Sequence, residues 1–323
     1  MSYAIRFESF GGPEVLRWEQ HALGDPAPGE VRLRQTAVGL NFIDVYERTG
    51  LYAQPLPSGL GREAAGIVEA LGRGVRGLRV GDRVAYVSNA AGAYAQQRNV
   101  PVERVVRVPD AVADEVAAAA MLKGLTAQFL LRQTYRVRRG DPLLIHAAAG
   151  GVGSLLVQWA AHLGARVLAV VGTSDKASLA LGHGAEHAVL DSEDWVAAAR
   201  EFTAGRGVAV VYDSVGQVTF LRSLDCLRPR GMMVTFGNAS GPVAPIAPLE
   251  LGRRGSLFLT RPSLFHYIAT RHEMQRAAND LFAALTQGVL RVHIGQRYAL
   301  QDAAQAHRDL EARRTVGSTV LLP

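Results

Sequence analysis

The stretch His146-Ala-Ala-Ala-Gly-Gly-Val-Gly-Ser154 has the residue types and spacing to hold a phosphate. Glycine has no Cβ, so the backbone can approach an anion closely. A helix that starts there turns free N–H groups and a partial positive charge toward the anion. The flanking sequence has the required context. Leu143, Leu144 and Ile145 read as a short apolar strand after the turn signal Asp141-Pro142. Val152, Leu155, Leu156, Trp159, Ala160 and Leu163 follow at helical spacing, up to a stop at Gly164. The full fingerprint is Gly-x-Gly-x-x-Gly. This chain has Ala148-x-Gly150-x-x-Gly153, with alanine in the first slot, and such a corner can also be purely structural.

The elements around the corner decide which reading fits. Residues 1 to about 110 read as β-rich, with short alternating strands such as Val31 to Thr36 and a turn at Gly81-Asp82 that Asp82 caps. This predicts a compact antiparallel, barrel-like unit. Alanine-rich sequence from Val116 to Leu131 predicts a helix. Strands are then expected at Leu143 to Ile145, Arg166 to Val171, Ala188 to Leu190, Val208 to Tyr212, Met232 to Phe236 and Leu257 to Thr260, with helices between most of them. Such alternation argues for a doubly wound parallel sheet, the dinucleotide-binding arrangement. The tail holds a helix near Glu273 to Gln287, a strand at Ile294 to Tyr298, a helix around Ala303 to Glu311 and a last strand at Ser318 to Leu322. Its alternation matches the N-terminal unit, so it is expected to return there.

Composition narrows the class. The 323 residues suffice for two domains. No apolar run approaches the ~20 residues of a membrane helix. The start Met-Ser-Tyr-Ala-Ile-Arg reads as a strand and not as a signal peptide. The single cysteine, Cys226, leaves no intramolecular disulfide and no cysteine-rich zinc site, and reads as a core residue. These features suggest a soluble cytoplasmic protein. The net charge of +6 is scattered, with no basic block interleaved with aromatics, which weighs against nucleic acid.

The nucleotide can also be read. An NAD site places an acid about 20 residues after the glycines, at the end of the second strand. Here that strand ends in Gly172-Thr-Ser-Asp-Lys176. Thr173, Ser174 and Lys176 offer hydrogen bonds and a charge to a ribose 2′-phosphate, which suits NADPH. Asp175 is expected to cap the following helix.

Several stretches resemble zeta-crystallin-type quinone oxidoreductases, the zinc-free branch of the medium-chain dehydrogenase/reductase superfamily. They are Asn41-Phe-Ile-Asp-Val-Tyr46-x-Arg48-x-Gly50-x-Tyr52, Gly61-x-Glu63-Ala-Ala-Gly-x-Val68, Lys123-Gly-Leu-Thr-Ala-Gln128 and Ala147-Ala-Ala-Gly-Gly-Val-Gly153. Val211-Tyr-Asp-Ser-Val-Gly216, Phe236-Gly-Asn238, Thr260-Arg-Pro262 and Arg313-x-Thr-x-Gly-Ser318 extend the match over nearly the whole chain. The resemblance implies an α/β protein with a GroES-like β-barrel catalytic domain (1–123 and 262–323) and an inserted Rossmann doubly wound parallel sheet domain (124–261), the cofactor lying in the cleft. It implies that Asn41, Ile43, Tyr46, Tyr52 and Arg261 line the substrate side, with Asn41, Tyr46 and Tyr52 catalytic. It assigns NADPH to Asn41, Thr126, Gly150, Gly151, Val152, Gly172, Ser174, Lys176, Phe236, Asn238, Phe258, Thr260 and Arg313. Family members often carry a tyrosine after the third strand, where this chain has Leu190-Asp191, so no contact is carried over to Asp191. The family's zinc-dependent cousins need a Gly-His-Glu motif and an early cysteine. This chain has Gly61-Arg62-Glu63 and no cysteine before Cys226, so no metal is expected.

Without a metal or a nucleophile–base pair, catalysis is expected to be positioning plus stabilisation of charge on the acceptor oxygen. Tyr46 and Tyr52 are the candidate hydrogen-bond donors, with aromatic packing as the competing role. Asp44 is expected to pair with Arg48 at i,i+4 spacing, and Arg62 with Glu63 or another acid. Three readings remain open: a quinone reductase; a reductase of α,β-unsaturated ketones or alkenals; and an RNA- or nucleotide-binding, crystallin-like protein without catalysis. The resemblance also implies a homodimer, paired through the strands near Met232 to Phe236 and Leu257 to Thr260.

Overall fold

Six apolar strands pair in parallel in the order His187–Leu190, Arg166–Val171, Pro142–His146, Val208–Asp213, Leu227–Thr235, Phe258–Thr260. In chain order this is 3-2-1-4-5-6, the doubly wound dinucleotide arrangement. The computed structural model describes residues 2–323. Strand sequences such as Arg-Val-Leu-Ala-Val-Val are buried almost throughout, as strands of a covered parallel sheet must be. Helices Gly151–His162, Ser174–Gly182, Trp195–Phe202 and Phe220–Asp225 connect them. Leu144, Leu168, Val211, Met233, Trp195 and Phe220 share one core, which also contains Cys226. Burial pushes the Cys226 thiol up to about 12, so it is an inert core residue.

Leu227–Thr235 has neighbours on both sides, so it has no free edge for a second chain. Of the two strands expected to pair between subunits, only Phe258–Thr260 lies at an edge.

The chain divides into two units: residues 1–125, 268–287 and 292–323 in one, 126–267 and 288–291 in the other. The division falls inside helix Asp114–Phe129. The first unit is built on strand Glu30–Leu40, whose Val31, Leu33 and Ala37 point inward at alternate positions. Antiparallel partners Glu63–Leu71, Gln97–Pro101 and Ser318–Leu322 flank it. The last strand is held in register by Thr319 opposite Leu40 and Leu321 opposite Val38, so the tail does return. Its Leu300, Ala303 and Leu321 share a core with Ile5, Phe7 and Tyr94. One pair departs from the expected antiparallel pattern. Ile294–Ala299 runs parallel to Ser318–Leu322, and helix Ala303–Glu311 supplies the crossover that parallel strands require.

Candidate functional site

The ends of the parallel strands build one edge. The chain leaves Pro142–His146 through Ala147, which takes a left-handed φ of 50°. Ala147 O then accepts from Gly150 N at 2.9 Å, closing the corner. Gly150 caps helix Gly151–His162 with extended backbone. The first amides of a helix have no carbonyl partner in their own helix, so this corner presents donors to an anion. Gly153 is forced: a Cβ there would lie 2.1 Å from Ala147 O and 2.8 Å from Ala148 Cα. Ala148, in the first fingerprint slot, is fully buried and donates its N–H to Val170 O at 3.2 Å. A methyl group is accommodated there.

The second strand ends at exposed Gly172. Thr173 caps the next helix, its Oγ1 accepting from Lys176 N at 3.4 Å. Asp175 is therefore the second helical residue and not the cap; the shorter Thr173 side chain sits one turn below the amide that needs an acceptor. The fourth strand ends in buried Asp213, which organises the loop after it. Its Oδ1 accepts from Val215 N at 2.7 Å and Gly216 N at 3.1 Å, and its Oδ2 accepts from Thr219 Oγ1 at 2.7 Å. Phe236 N donates to Asp213 O at 2.8 Å, and Asn238 O accepts from Gly241 N at 2.9 Å. Arg261 Nη1 donates to Thr235 O at 3.1 Å, while Thr235 Oγ1 is buried without a hydrogen-bond partner. Gly150, Gly151, Val152, Gly172, Ser174, Lys176, Phe236, Asn238, Thr260 and Arg261 thus all lie at the carboxyl ends of these strands or in the segments that follow. Phe258 begins its strand instead of ending it and is 58% exposed. Thr126 is buried in helix Asp114–Phe129. His146 packs edge-on against Trp195, its Nε2 2.9 Å from Ser223 Oγ, and burial lowers its pKa.

In the first unit, helix Phe42–Arg48 carries the remaining candidates. Asn41, directly before it, donates its backbone N–H to Asp44 Oδ2 at 2.8 Å. Its side-chain Nδ2 donates to Glu63 Oε1 at 2.8 Å. A carboxylate only accepts, so Glu63 fixes which end of the amide is the nitrogen. Glu63 is fully buried and also accepts from Leu122 N at 2.5 Å and Lys123 Nζ at 3.1 Å. Lys123 donates onward to Leu40 O at 3.1 Å. Tyr46 and Tyr52 meet edge to face at 5.2 Å, with Phe42 5.9 Å from Tyr46. Tyr52 N donates to Tyr46 O at 3.0 Å, which holds the loop carrying the second phenol. Ile43 is half-buried on the same helix, and Arg313 is exposed with a left-handed φ of 58°.

Asp44 and Arg48 do not pair. Each takes a tertiary partner: Arg48 binds Glu311 through both terminal nitrogens, at 2.7 and 2.9 Å, while Asp44 accepts from Tyr94 Oη at 2.9 Å. His307 links the two groups, its Nδ1 3.1 Å from Arg48 Nη1 and its Nε2 3.2 Å from Tyr94 Oη. Guanidinium only donates, so Nδ1 accepts and Nε2 carries the proton. The bonds then run one way, from Arg48 through His307 and Tyr94 to Asp44. Burial, then Arg48, holds the His307 ring down to about 3. Burial and the nearby Glu47 push the Asp44 carboxyl up to about 8, and its Oδ1 is buried without a partner. Arg62 pairs with Glu47, another acid on the same helix, because Glu63 is committed to Lys123 and Asn41.

Comparison with known proteins places this architecture. The chain is 50% identical to a quinone oxidoreductase of Pseudomonas aeruginosa over all of both chains. It belongs to the quinone oxidoreductase family, within the medium-chain dehydrogenase/reductase superfamily. The structure of the Escherichia coli quinone oxidoreductase complexed with NADPH superposes with a TM-score of 0.98 at 48% identity, covering 99% of this chain and 100% of that one. A 2-haloacrylate reductase from a Burkholderia species is also 48% identical, over 97% of this chain and 96% of its own. Family models for the alcohol dehydrogenase GroES-like domain and the zinc-binding dehydrogenase match residues 27–110 and 151–284. The zinc in the second description does not fit this quinone oxidoreductase-family chain. Among the described residues no group of three His, Cys, Asp or Glu could hold a metal ion, and Arg62 puts a paired cation where a ligand would stand.

Sequence reasoning gave no role to Asp213 or to the Tyr94–His307 link. Asp213 had a signal, an acid at a strand end two residues before an amide-rich turn. The link joins residues 213 apart and had none.

Proposed function

We propose that this chain is an NADPH-dependent oxidoreductase that reduces quinones. The observation that carries the reading is the glycine corner at the reversal of strand order, where a doubly wound sheet binds its dinucleotide. The residues fit the cofactor. Gly153 lets the helix start pack directly against Ala147 O, where a Cβ would clash. This leaves the first helix amides free of intrahelical partners at the strand edge, and Thr235 Oγ1 is an orphaned buried oxygen at the same edge. The amides of Gly151 to Gly153 would hold the pyrophosphate, with Ser174 and Lys176 on the 2′-phosphate. Phe236, Asn238 and Thr260 would hold the nicotinamide end, with Thr126, Phe258 and Arg313 as further contacts. NADPH, when bound, supplies the hydride.

The residues of the first unit act on the acceptor. A quinone gains negative charge on oxygen as it is reduced, and a phenol hydrogen bond to that oxygen stabilises the charge. Tyr46 and Tyr52 supply two phenols whose ring centres lie 5.2 Å apart, and Tyr46 Oη is the group proposed to deliver a proton. Asn41, fixed by Glu63, orients substrate or ribose through Oδ1, and Ile43 and Arg261 line the substrate side. Purified protein with NADPH and 1,4-benzoquinone tests the reading: steady loss of nicotinamide absorbance supports it, and none refutes it. A second reading, reduction of an activated alkene such as an enone, is favoured by the 48% identity to a 2-haloacrylate reductase. Comparing kcat/KM for quinones and enones separates the two.

The proposal includes a cytoplasmic homodimer that pairs through edge strand Phe258–Thr260. Sedimentation tests the assembly: a single species at the 34.6 kDa mass of one chain would refute it.

A further inference from the structure

We infer that Asp191 sets how strongly this chain discriminates between the phosphorylated and unphosphorylated nicotinamide dinucleotides, and that it admits NADH as a second cofactor. The inference rests on the dinucleotide reading above and adds a residue that works against NADPH. Strands Arg166–Val171 and His187–Leu190 run parallel with Val171 opposite Leu190. Asp191 N donates to Val171 O at 2.8 Å, so Asp191 lies beside Gly172 just past the strand ends. In a doubly wound nucleotide fold, the end of the second strand meets the adenosine ribose, and an acid there accepts the 2′-hydroxyl. Gly172 has no side chain to offer. The nearest atom to the place its Cβ would take is Asp191 Oδ2, at 3.6 Å. A carboxylate from the third strand therefore reaches the space that a second-strand acid would occupy.

Two contributions oppose each other there. Ser174 and Lys176, in the first turn of helix Ser174–Gly182, favour a phosphate by hydrogen bonding, charge and the helix N-terminus. The Asp191 carboxylate accepts a hydrogen bond from a free 2′-hydroxyl but repels a phosphate that carries close to two negative charges. Asp191 is exposed, so the repulsion is screened and salt-sensitive.

The test is fluorescence titration of NADPH and NADH against wild type, Asp191→Asn and Lys176→Ala, at low and high salt. Asp191→Asn keeps the shape and removes the charge at an exposed position, so the fold is retained and a thermal melt verifies it. NADPH is expected to bind this variant about three- to tenfold more tightly and NADH more weakly, with the gain in NADPH affinity shrinking at high salt. Lys176→Ala is expected to move the ratio the opposite way. If both nucleotides bind wild type and Asp191→Asn leaves their ratio within about twofold, the inference is overturned while the dinucleotide reading stands. If wild type binds neither, both fall.

Discussion

Gly153 shows how much one atom can matter in this chain. A methyl group there would meet Ala147 O at 2.1 Å, so the strand and helix cannot keep their spacing. Gly153→Ala is expected to cost about 1–3 kcal/mol of stability and at least about tenfold in NADPH affinity, read by thermal melting and titration. At the other end of the nucleotide, Lys176 is expected to carry most of an at least tenfold preference for NADPH over NADH; Lys176→Ala should remove most of it. Equal affinities in wild type would refute that assignment. These residues were legible in the sequence because a phosphate corner constrains residue type at fixed local spacing. The pairings of Asp44 and Arg48 were not. Their i,i+4 spacing suggested a local bond, but both side chains are buried, and burial rewards the partner with better geometry however distant it is in sequence. For Arg48 that partner is Glu311, 263 residues away.

Helix Phe42–Arg48 is held by charges, and its pH behaviour follows from them. Asp44 sits at about 8 in the fold against an ordinary value of 3.8, so between these values the folded chain keeps a proton that the unfolded chain has lost. Its contribution to stability is complete below the lower value and is lost as pH rises through the upper one. His307 runs the other way: held at about 3 against an ordinary 6.5, it makes stability rise with pH between those values. The slopes oppose below about pH 6.5, and that of Asp44 stands alone above it. The melting temperature is therefore expected to fall from pH 6.5 to 8, and Asp44→Asn to flatten that fall; an unchanged slope in the variant would refute it. Glu63 anchors the start of the same helix through Asn41. Glu63→Gln leaves Lys123 buried without a counter-charge and is expected to cost about 3–5 kcal/mol in a denaturant titration. Element boundaries were partly readable. Thr270 and Glu273 form a capping box that starts helix Arg271–Thr286, two residues before the expected start, and that Thr-x-x-Glu signal was present in the sequence. Which of Thr173 and Asp175 would cap helix Ser174–Gly182 was not readable: aspartate is the stronger cap by residue type, yet the backbone turn puts Thr173 in that position.

At the scale of the molecule, alternating strand and helix patterns fixed the parallel sheet, and the return of the tail was readable from its strand periodicity. Which strand lies at an edge was not, because strand order depends on crossovers that leave no mark on local pattern. Leu227–Thr235 is interior for that reason, and Phe258–Thr260 and His187–Leu190 are the sheet's two edges. Fold and family together do not choose the acceptor, since a quinone oxidoreductase and a 2-haloacrylate reductase share this chain's architecture at nearly equal identity. The central claim is that two phenols and a fixed amide serve a quinone reduced with NADPH. Its most direct test is a steady-state panel of 1,2-naphthoquinone, 1,4-benzoquinone and simple enones at saturating NADPH, for wild type and the Tyr46→Phe, Tyr52→Phe double variant. The account predicts a higher kcat/KM for the quinones and a loss of about tenfold or more in the variant, mostly in kcat. Turnover of the enones alone, or a variant as fast as wild type on quinones, would contradict it.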